Sequence, residues 1–159
     1  VEIWKDIPGH EGRYQVSDEG RVRSLDRVVR GVSKAGREYQ RKVRGTVLRP
    51  GDCRGYLIVN LHPTGTVAVH LLVARSFVAG FVPGLEVNHK DGSKKNNAAA
   101  NLEWVTHQGN QDHAVAIGLN SQATPVIHPK TGQVFPSITQ AARSAGRRHQ
   151  TIAKEWARA

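Results

Sequence analysis

Apolar and polar positions alternate over Tyr14-Gln15-Val16-Ser17 and again over Arg21-Val22-Arg23-Ser24-Leu25, with Asp18-Glu19-Gly20 as a turn between them. The pattern predicts a small antiparallel sheet within residues 1–25, with Trp4, Ile7, Tyr14, Val16, Val22 and Leu25 as its apolar points. Residues 26–46 lose that rhythm and carry Arg27, Arg30, Lys34, Arg37, Arg41, Lys42 and Arg44, which predicts a mobile basic loop or an extended hairpin. A strand run returns at Tyr56–Leu61, and Pro63-Thr64-Gly65 turns it into Val67-Ala68-Val69. From His70 the period lengthens to that of a helix, with either Leu71, Ala74 and Val78 or Leu72 and Phe77 facing inward, and Gly80 and Pro83-Gly84 end it. Leu85–His89 reads as a strand ending in two polar residues, followed by a loop rich in Asp, Gly, Ser and Asn and by a return strand, Leu102–Val105. Thr106 suits the cap of a helix from His107 to about Ile117, and Gly118 suits its stop. A hairpin around Lys130-Thr131-Gly132, a helix over 137–146 capped by Ser137, and a helix over about Gln150–Ala157 complete the chain. The expected fold class is α+β. Its parts are an N-terminal module over 1–46, a central domain over 47–119 and a helical tail over 120–159.

Charge narrows the range of partners. Lys and Arg number 23 against 13 Asp and Glu, a formal net charge of +10 over 159 residues. An excess of that size points to a polyanion, and nucleic acid leads because each neutralised phosphate releases counterions. A membrane partner would call for a long apolar run or a basic amphipathic helix, and the sequence shows neither. A basic protein of the ribosomal kind fits the charge equally well. Cys53 is the single cysteine, which excludes a disulfide within the chain and a cysteine-based zinc knuckle. That usage, with no apolar signal region at Val1-Glu2-Ile3-Trp4-Lys5-Asp6, gives the expectation of an intracellular protein.

The chemistry concentrates between Val87 and His113. There the chain reads Asn88-His89-Lys90-Asp91-Gly92-Ser93-Lys94-Lys95-Asn96-Asn97, then Asn101-Leu102-Glu103-Trp104-Val105-Thr106, then Asn110-Gln111-Asp112-His113-Ala114. This segment, with the upstream His70-Leu71-Leu72-Val73-Ala74-Arg75-Ser76-Phe77, resembles the HNH nuclease motif, the ββα-metal fold of phage and intron-type endonucleases. The resemblance implies hydrolysis of phosphodiester bonds in double-stranded DNA, assisted by Mg²⁺ or another divalent ion such as Mn²⁺, and a phage or mobile-element origin. Such a reaction needs a deprotonated water in line with the leaving oxygen and a cation to offset charge in the transition state. A neutral imidazole suits the first task, and a hard cation with few protein oxygen ligands suits the second.

Carried over residue by residue, the resemblance makes His89 the general base and Asn101 the middle Asn that braces the loop orienting it. Asn110 becomes a metal ligand, joined by Asn88 or by His113, which shares a helical face with Asn110. Other residues have plainer readings. Asp91, Asn96 and Asn97 suit turns, His70 suits support behind the site, Trp104 suits the core, and His107 suits a cap or a phosphate contact. There are two departures from the family pattern: Ala98-Ala99-Ala100 is less polar than usual, and Gly109 stands where relatives often carry Glu, weakening a helix start by up to about 1 kcal/mol.

The flanks resemble companions of such nucleases. The run from Trp4 through Ile7-Pro8-Gly9, Glu11-Gly12, Tyr14, Val16-Ser17, Gly20 and Val22 to Ser24 resembles the N-terminal module that accompanies HNH domains, which the resemblance lays on DNA. The tail resembles a helix-turn-helix module whose second helix starts near Arg147, Arg148, His149, Gln150 and Thr151. Expected DNA contacts are Arg27, Arg30, Arg37, Arg41, Lys42 and Arg44 in the basic segment, Lys94 and Lys95 in the central loop, and Arg147 and Arg148 in the tail. A palindromic cut would call for a homodimer. Two other readings remain: a non-catalytic DNA-binding protein derived from a nuclease, and a structural zinc domain using His89, His107 and His113.

Overall fold

In the computed structural model, β1 (Trp4–Asp6), β2 (Tyr14–Ser17) and β3 (Val22–Ser24) form an antiparallel sheet in the order β1-β2-β3, with Val16 opposite Val22. Alternation in β2 puts Tyr14 and Val16 inward, as the hydrophobic pattern requires. The structure describes residues 1–119 and 124–156, and the chain divides into two compact units, Val1–Val105 and Thr106–Ala159.

The basic segment takes the hairpin form: β4 (Arg27–Val32) pairs with β5 (Glu38–Val43), Arg27 opposite Val43 and Val32 opposite Glu38. Most of its side chains are exposed, so this ribbon rests on its own ladder of backbone hydrogen bonds rather than on a buried face. Next, β6 (Gly51–Cys53), β7 (Tyr56–Leu61) and β8 (Gly65–Ala68) form a second antiparallel sheet in that order. The edge strand β6 is absent from the hydrophobic pattern, because Gly51-Asp52-Cys53 is exposed throughout and has no alternation to read.

Helix α1 (Val69–Phe77) begins one residue earlier than its period suggests. It buries Val69, Leu72, Val73 and Ala74, a broader stripe than either face read from the sequence. The reason is its surroundings: α1 packs on β2, β7, β8 and the later strands β9 (Glu86–His89) and β10 (Leu102–Val105). Val16, Leu61, Val73 and Leu102 meet there at 2% exposure or less, in one core that also takes in Ile7 and Val22. Burying one such aliphatic side chain contributes roughly 1.5–3 kcal/mol.

Strands β9 and β10 pair antiparallel, with His89 opposite Leu102 and Asn88 opposite Glu103. The Ala-rich departure between them folds as a 3₁₀ turn, Ala99–Asn101, and Ala99 packs on the core. Small side chains fit this place because the Ala99 N–H donates to Asp18 O at 2.7 Å, bringing the turn against the N-terminal sheet.

In the second unit, α2 (His107–Ala116) is capped by Thr106, whose Oγ1 accepts from the Gly109 N–H at 3.1 Å. The short hairpin β11 (Val126–Ile127) and β12 (Val134–Phe135) precedes α3 (Ile138–Ser144) and α4 (His149–Trp156). Both expected glycine stops carry positive φ, 74° at Gly118 and 63° at Gly146. Each closes the same pair of bonds: Leu119 N–H to Ala114 O and Gly118 N–H to Val115 O, then Arg147 N–H to Ala142 O and Gly146 N–H to Arg143 O. Phe135, Ala141, Ala142 and Ile152 are buried here, and the Trp156 ring packs on His128 at 4.9 Å. The sequence-based end of the last helix, Ala157, lies outside the described residues.

Candidate active site

Strand β9 carries Asn88 and His89, both buried, at 5% and 6% exposure. The carboxamide of Asn88 meets its cross-strand partner, with Nδ2 donating to Glu103 Oε1 at 2.7 Å. A carboxylate only accepts, so the amide nitrogen must face Glu103 and the carbonyl oxygen of Asn88 faces the other way. Asn88 is thereby held as an oxygen donor of fixed direction.

The loop after His89 closes on itself. Asp91 Oδ1 accepts from the Ser93 N–H at 2.8 Å and from Asn101 Nδ2 at 2.9 Å, and its Oδ2 accepts from Asn96 Nδ2 at 2.7 Å. These donors hold the Asp91 carboxyl below the usual carboxylate range, the Asn96 amide first, then the Ser93 N–H and the Asn101 amide. Asn101 returns the contact through Oδ1, which accepts from the Asp91 N–H at 3.1 Å, while its Nδ2 also donates to Asn96 O at 2.9 Å. The Lys90 N–H donates to Asn101 O and the Gly92 N–H to His89 O, at 2.8 and 2.9 Å. Asp91 thus acts as the knot of the turn, and Asn101 ties the start of β10 to the chain just after His89.

The imidazole of His89 sits in an aromatic group, 5.3 Å from the His70 ring and 6.2 Å from the Tyr56 ring, with Tyr56 and His70 themselves 4.9 Å apart. Burial lowers the pKa of His70 to about 4, with the charge of His89 as a smaller cause, so His70 is a neutral ring at physiological pH. Its Nδ1 is buried and has no partner among the described residues. The Lys94 ammonium lies 4.4 Å from the centre of the Tyr56 ring.

Three contributors escape the sequence reading. Asn97, read with Asn96 as a turn former, is 4% exposed, and its Oδ1 lies 3.1 Å from His89 Nε2. Its Nδ2 is buried without a partner among the described residues, an arrangement that costs about 1–3 kcal/mol. Glu103 and Tyr56 are the others. The register of β9 on β10 would have signalled Glu103, but the burial of Asn97 has no signature in a polar Asn-Asn pair.

The second unit holds Asn110 and His113 one helical turn apart on α2, where the Thr106 cap secures the first turn despite Gly109. His107 lies in that turn, with Nε2 2.8 Å from Gln111 Nε2. Among the described residues, no group of three or more His, Cys, Asp or Glu side chains is placed to hold a metal ion. Asn88 and Asn110 carry amide oxygens and His113 an imidazole, donor types that a hard cation keeping most of its waters accepts.

Strand alternation sorts the basic candidates on the ribbon. Arg27 and Arg41 project from one face of the β4–β5 pair, Arg30 and Lys42 from the other. The Arg27 guanidinium lies 5.7 Å from the Tyr14 ring centre, and its Nη1 is buried without a partner among the described residues. Arg37 closes the ribbon tip, its N–H donating to Ser33 Oγ at 3.1 Å, and Arg44 is exposed just past β5. Lys95 pairs with Asp52 at 3.3 Å, and Lys94 reaches Arg54 O at 3.4 Å. In the tail, Arg147 donates to Glu155 at 2.6 Å, and Arg148 is exposed just before α4.

A strand ending in a buried histidine, a knotted Asn-rich loop, a return strand and a capped helix follow one another here as in the ββα nucleases. The family model of the HNH endonuclease matches residues 67–112, and that of the NUMOD4 motif matches residues 2–62. The chain belongs to the HNH endonuclease family. It is similar to the DNA endonuclease I-HmuI of Bacillus phage SP01, 40% identical over 118 residues, which make up 72% of this chain and 59% of that protein. The structure titled "DNA binding and cleavage by the HNH homing endonuclease I-HmuI" superposes with a TM-score of 0.57 at 32% identity, covering 95% of this chain and 87% of that one. The HNH endonuclease L247 of Acanthamoeba polyphaga mimivirus is 34% identical over 159 residues, 91% of this chain and 35% of that protein. The chain thus spans about three-fifths or less of these two curated relatives. Members of the family generally use a divalent metal. Among the described residues, no helix is long and apolar enough to cross a membrane.

Proposed function

We propose that this protein hydrolyses phosphodiester bonds of double-stranded DNA, nicking or cutting it, with His89 as the base. The observation that carries this reading is the loop itself: Asp91, Asn96 and Asn101 bond to one another so that the strand end bearing His89 is fixed. A water in line with the leaving oxygen gives a proton to the His89 imidazole, and its oxygen forms the new bond to phosphorus as the bond to the leaving oxygen breaks. Mg²⁺ or Mn²⁺, when bound, supplies positive charge to the crowded phosphate oxygens. Asn110 would hold it together with Asn88 or His113. Asn88 is suited by its Glu103 bond, which takes up an N–H of the amide and leaves the carbonyl oxygen for another partner.

Within this reading, the N-terminal module over 1–46 and the tail over 120–159 position the duplex around a nuclease domain over 47–119. The exposed Arg30, Arg41, Lys42 and Arg44, with Lys94, Lys95, Arg147 and Arg148, contact phosphates. The setting is the inside of a cell, that of the host for a phage protein.

The test is a plasmid-nicking assay with and without Mg²⁺. His89→Ala is expected to lose cleavage and keep DNA binding, and Asn110→Ala to lose activity together with metal dependence. Binding of the wild type without metal-dependent cleavage would favour a DNA-binding protein derived from a nuclease.

A further inference from the structure

His89 offers two ring nitrogens, and only one tautomer leaves a given nitrogen free to take a proton. The structure commits Nε2: it faces Asn97 Oδ1 at 3.1 Å. An amide oxygen can only accept, so this contact makes Nε2 the N–H nitrogen and leaves the ring's lone pair on Nδ1.

Asn97 is itself held in place from behind. The Asp18–Gly20 turn of the N-terminal sheet is packed against it: Asp18 O accepts from the Ala99 N–H at 2.7 Å. A Cβ at Gly20, where φ is +86°, would lie 2.9 Å from Asn97 Cβ and 3.0 Å from the Asn97 backbone. The second amide atom, Nδ2, is buried and unpaired among the described residues, so the carboxamide is unfavourable to the fold on its own account.

We propose that Asn97 is the positioning residue of His89: its carboxamide oxygen selects the tautomer protonated at Nε2 and fixes the ring plane, and the Asp18–Gly20 turn braces it. The N-terminal module then has a second role beside DNA contact, as the wall that sets the geometry of the base. This rests on His89 being the base proposed above. Asn97 touches neither substrate nor metal and acts only through the imidazole.

The first measurement needs no variant and no activity. A two-bond ¹H–¹⁵N correlation spectrum of the metal-free full chain, at a pH where the imidazoles are neutral, reports each tautomer, and His89→Gln assigns the signal. The expected pattern for His89 is a protonated Nε2 and an unprotonated Nδ1, and a protonated Nδ1 overturns the proposal. Second, Asn97→Leu keeps the volume and removes the acceptor. It is expected to lower kcat about 10- to 100-fold, leave KM within about two-fold and mix the tautomers. Asn97→Asp, which keeps an acceptor, is expected to restore the tautomer and most of kcat. If Asn97→Leu cleaves like the wild type, or if Asn97→Asp is as impaired as Asn97→Leu, the positioning role is wrong. Loss of nicking in every metal by the wild type would instead sink the nuclease reading, leaving the spectrum to decide the Asn97 contact.

Discussion

His70 makes acidification a sharp probe of the buried ring cluster. Its ring packs between Tyr56 and His89, at 4.9 and 5.3 Å, and its pKa falls from 6.5 to about 4, mainly through burial and then through the charge of His89. Between those values the unfolded chain binds a proton at this position and the folded chain does not. The stabilisation is therefore complete above the unfolded value and is lost as pH falls toward the folded one. At 1.36 kcal/mol per pH unit the two values set a ceiling of about 3 kcal/mol. The ring is only half-buried, so water screens part of this, and about 1 kcal/mol should fall between about pH 7 and pH 5. The perturbation is His70→Phe, which fills the same aromatic place and cannot titrate. Urea titrations read by tryptophan fluorescence at the two pH values, in a Trp156→Phe background so that only Trp4 and Trp104 of the first unit report, give the stability of each chain. The wild type should lose about 1 kcal/mol more than His70→Phe on acidification. Equal losses, or a smaller loss in the wild type, would refute the neutral buried imidazole.

Three further expectations follow from particular contacts. Arg30→Ala, on the open face of the ribbon, should make the slope of log affinity for DNA against log salt shallower by about 0.9 if one phosphate contact is lost. Arg27→Ala removes a guanidinium packed over Tyr14 and should instead lower thermal stability, by roughly 0.5–2 kcal/mol, with a smaller change in that slope. Thr106→Ala deletes the only side-chain cap of α2 among the described residues and should weaken the first turn by about 1 kcal/mol, seen as faster hydrogen exchange at Gly109 and Asn110.

Much of this protein is legible from local chemistry. The alternation of Tyr14–Ser17, the helical period after His70, the Thr106 and Ser137 caps and the Gly118 and Gly146 stops are determined within a few residues. Backbone geometry and capping act over one or two turns, so the sequence carries them openly. The Asn-rich run between two short strands is legible in another way, through its resemblance to the HNH motif.

What only the tertiary structure decided depends on residues far apart in the chain. The buried stripe of α1 is broader than its own period because strands surround it, and β6 exists only because β7 offers it an edge. Asn96 and Asn97 are the same residue type side by side, yet one faces solvent and tightens a turn while the other is buried against the His89 ring. The sequence determined that the loop is polar and can turn. Which of its amides points inward was decided by the wall at Asp18–Gly20, roughly eighty residues earlier in the chain, through packing that no local pattern encodes.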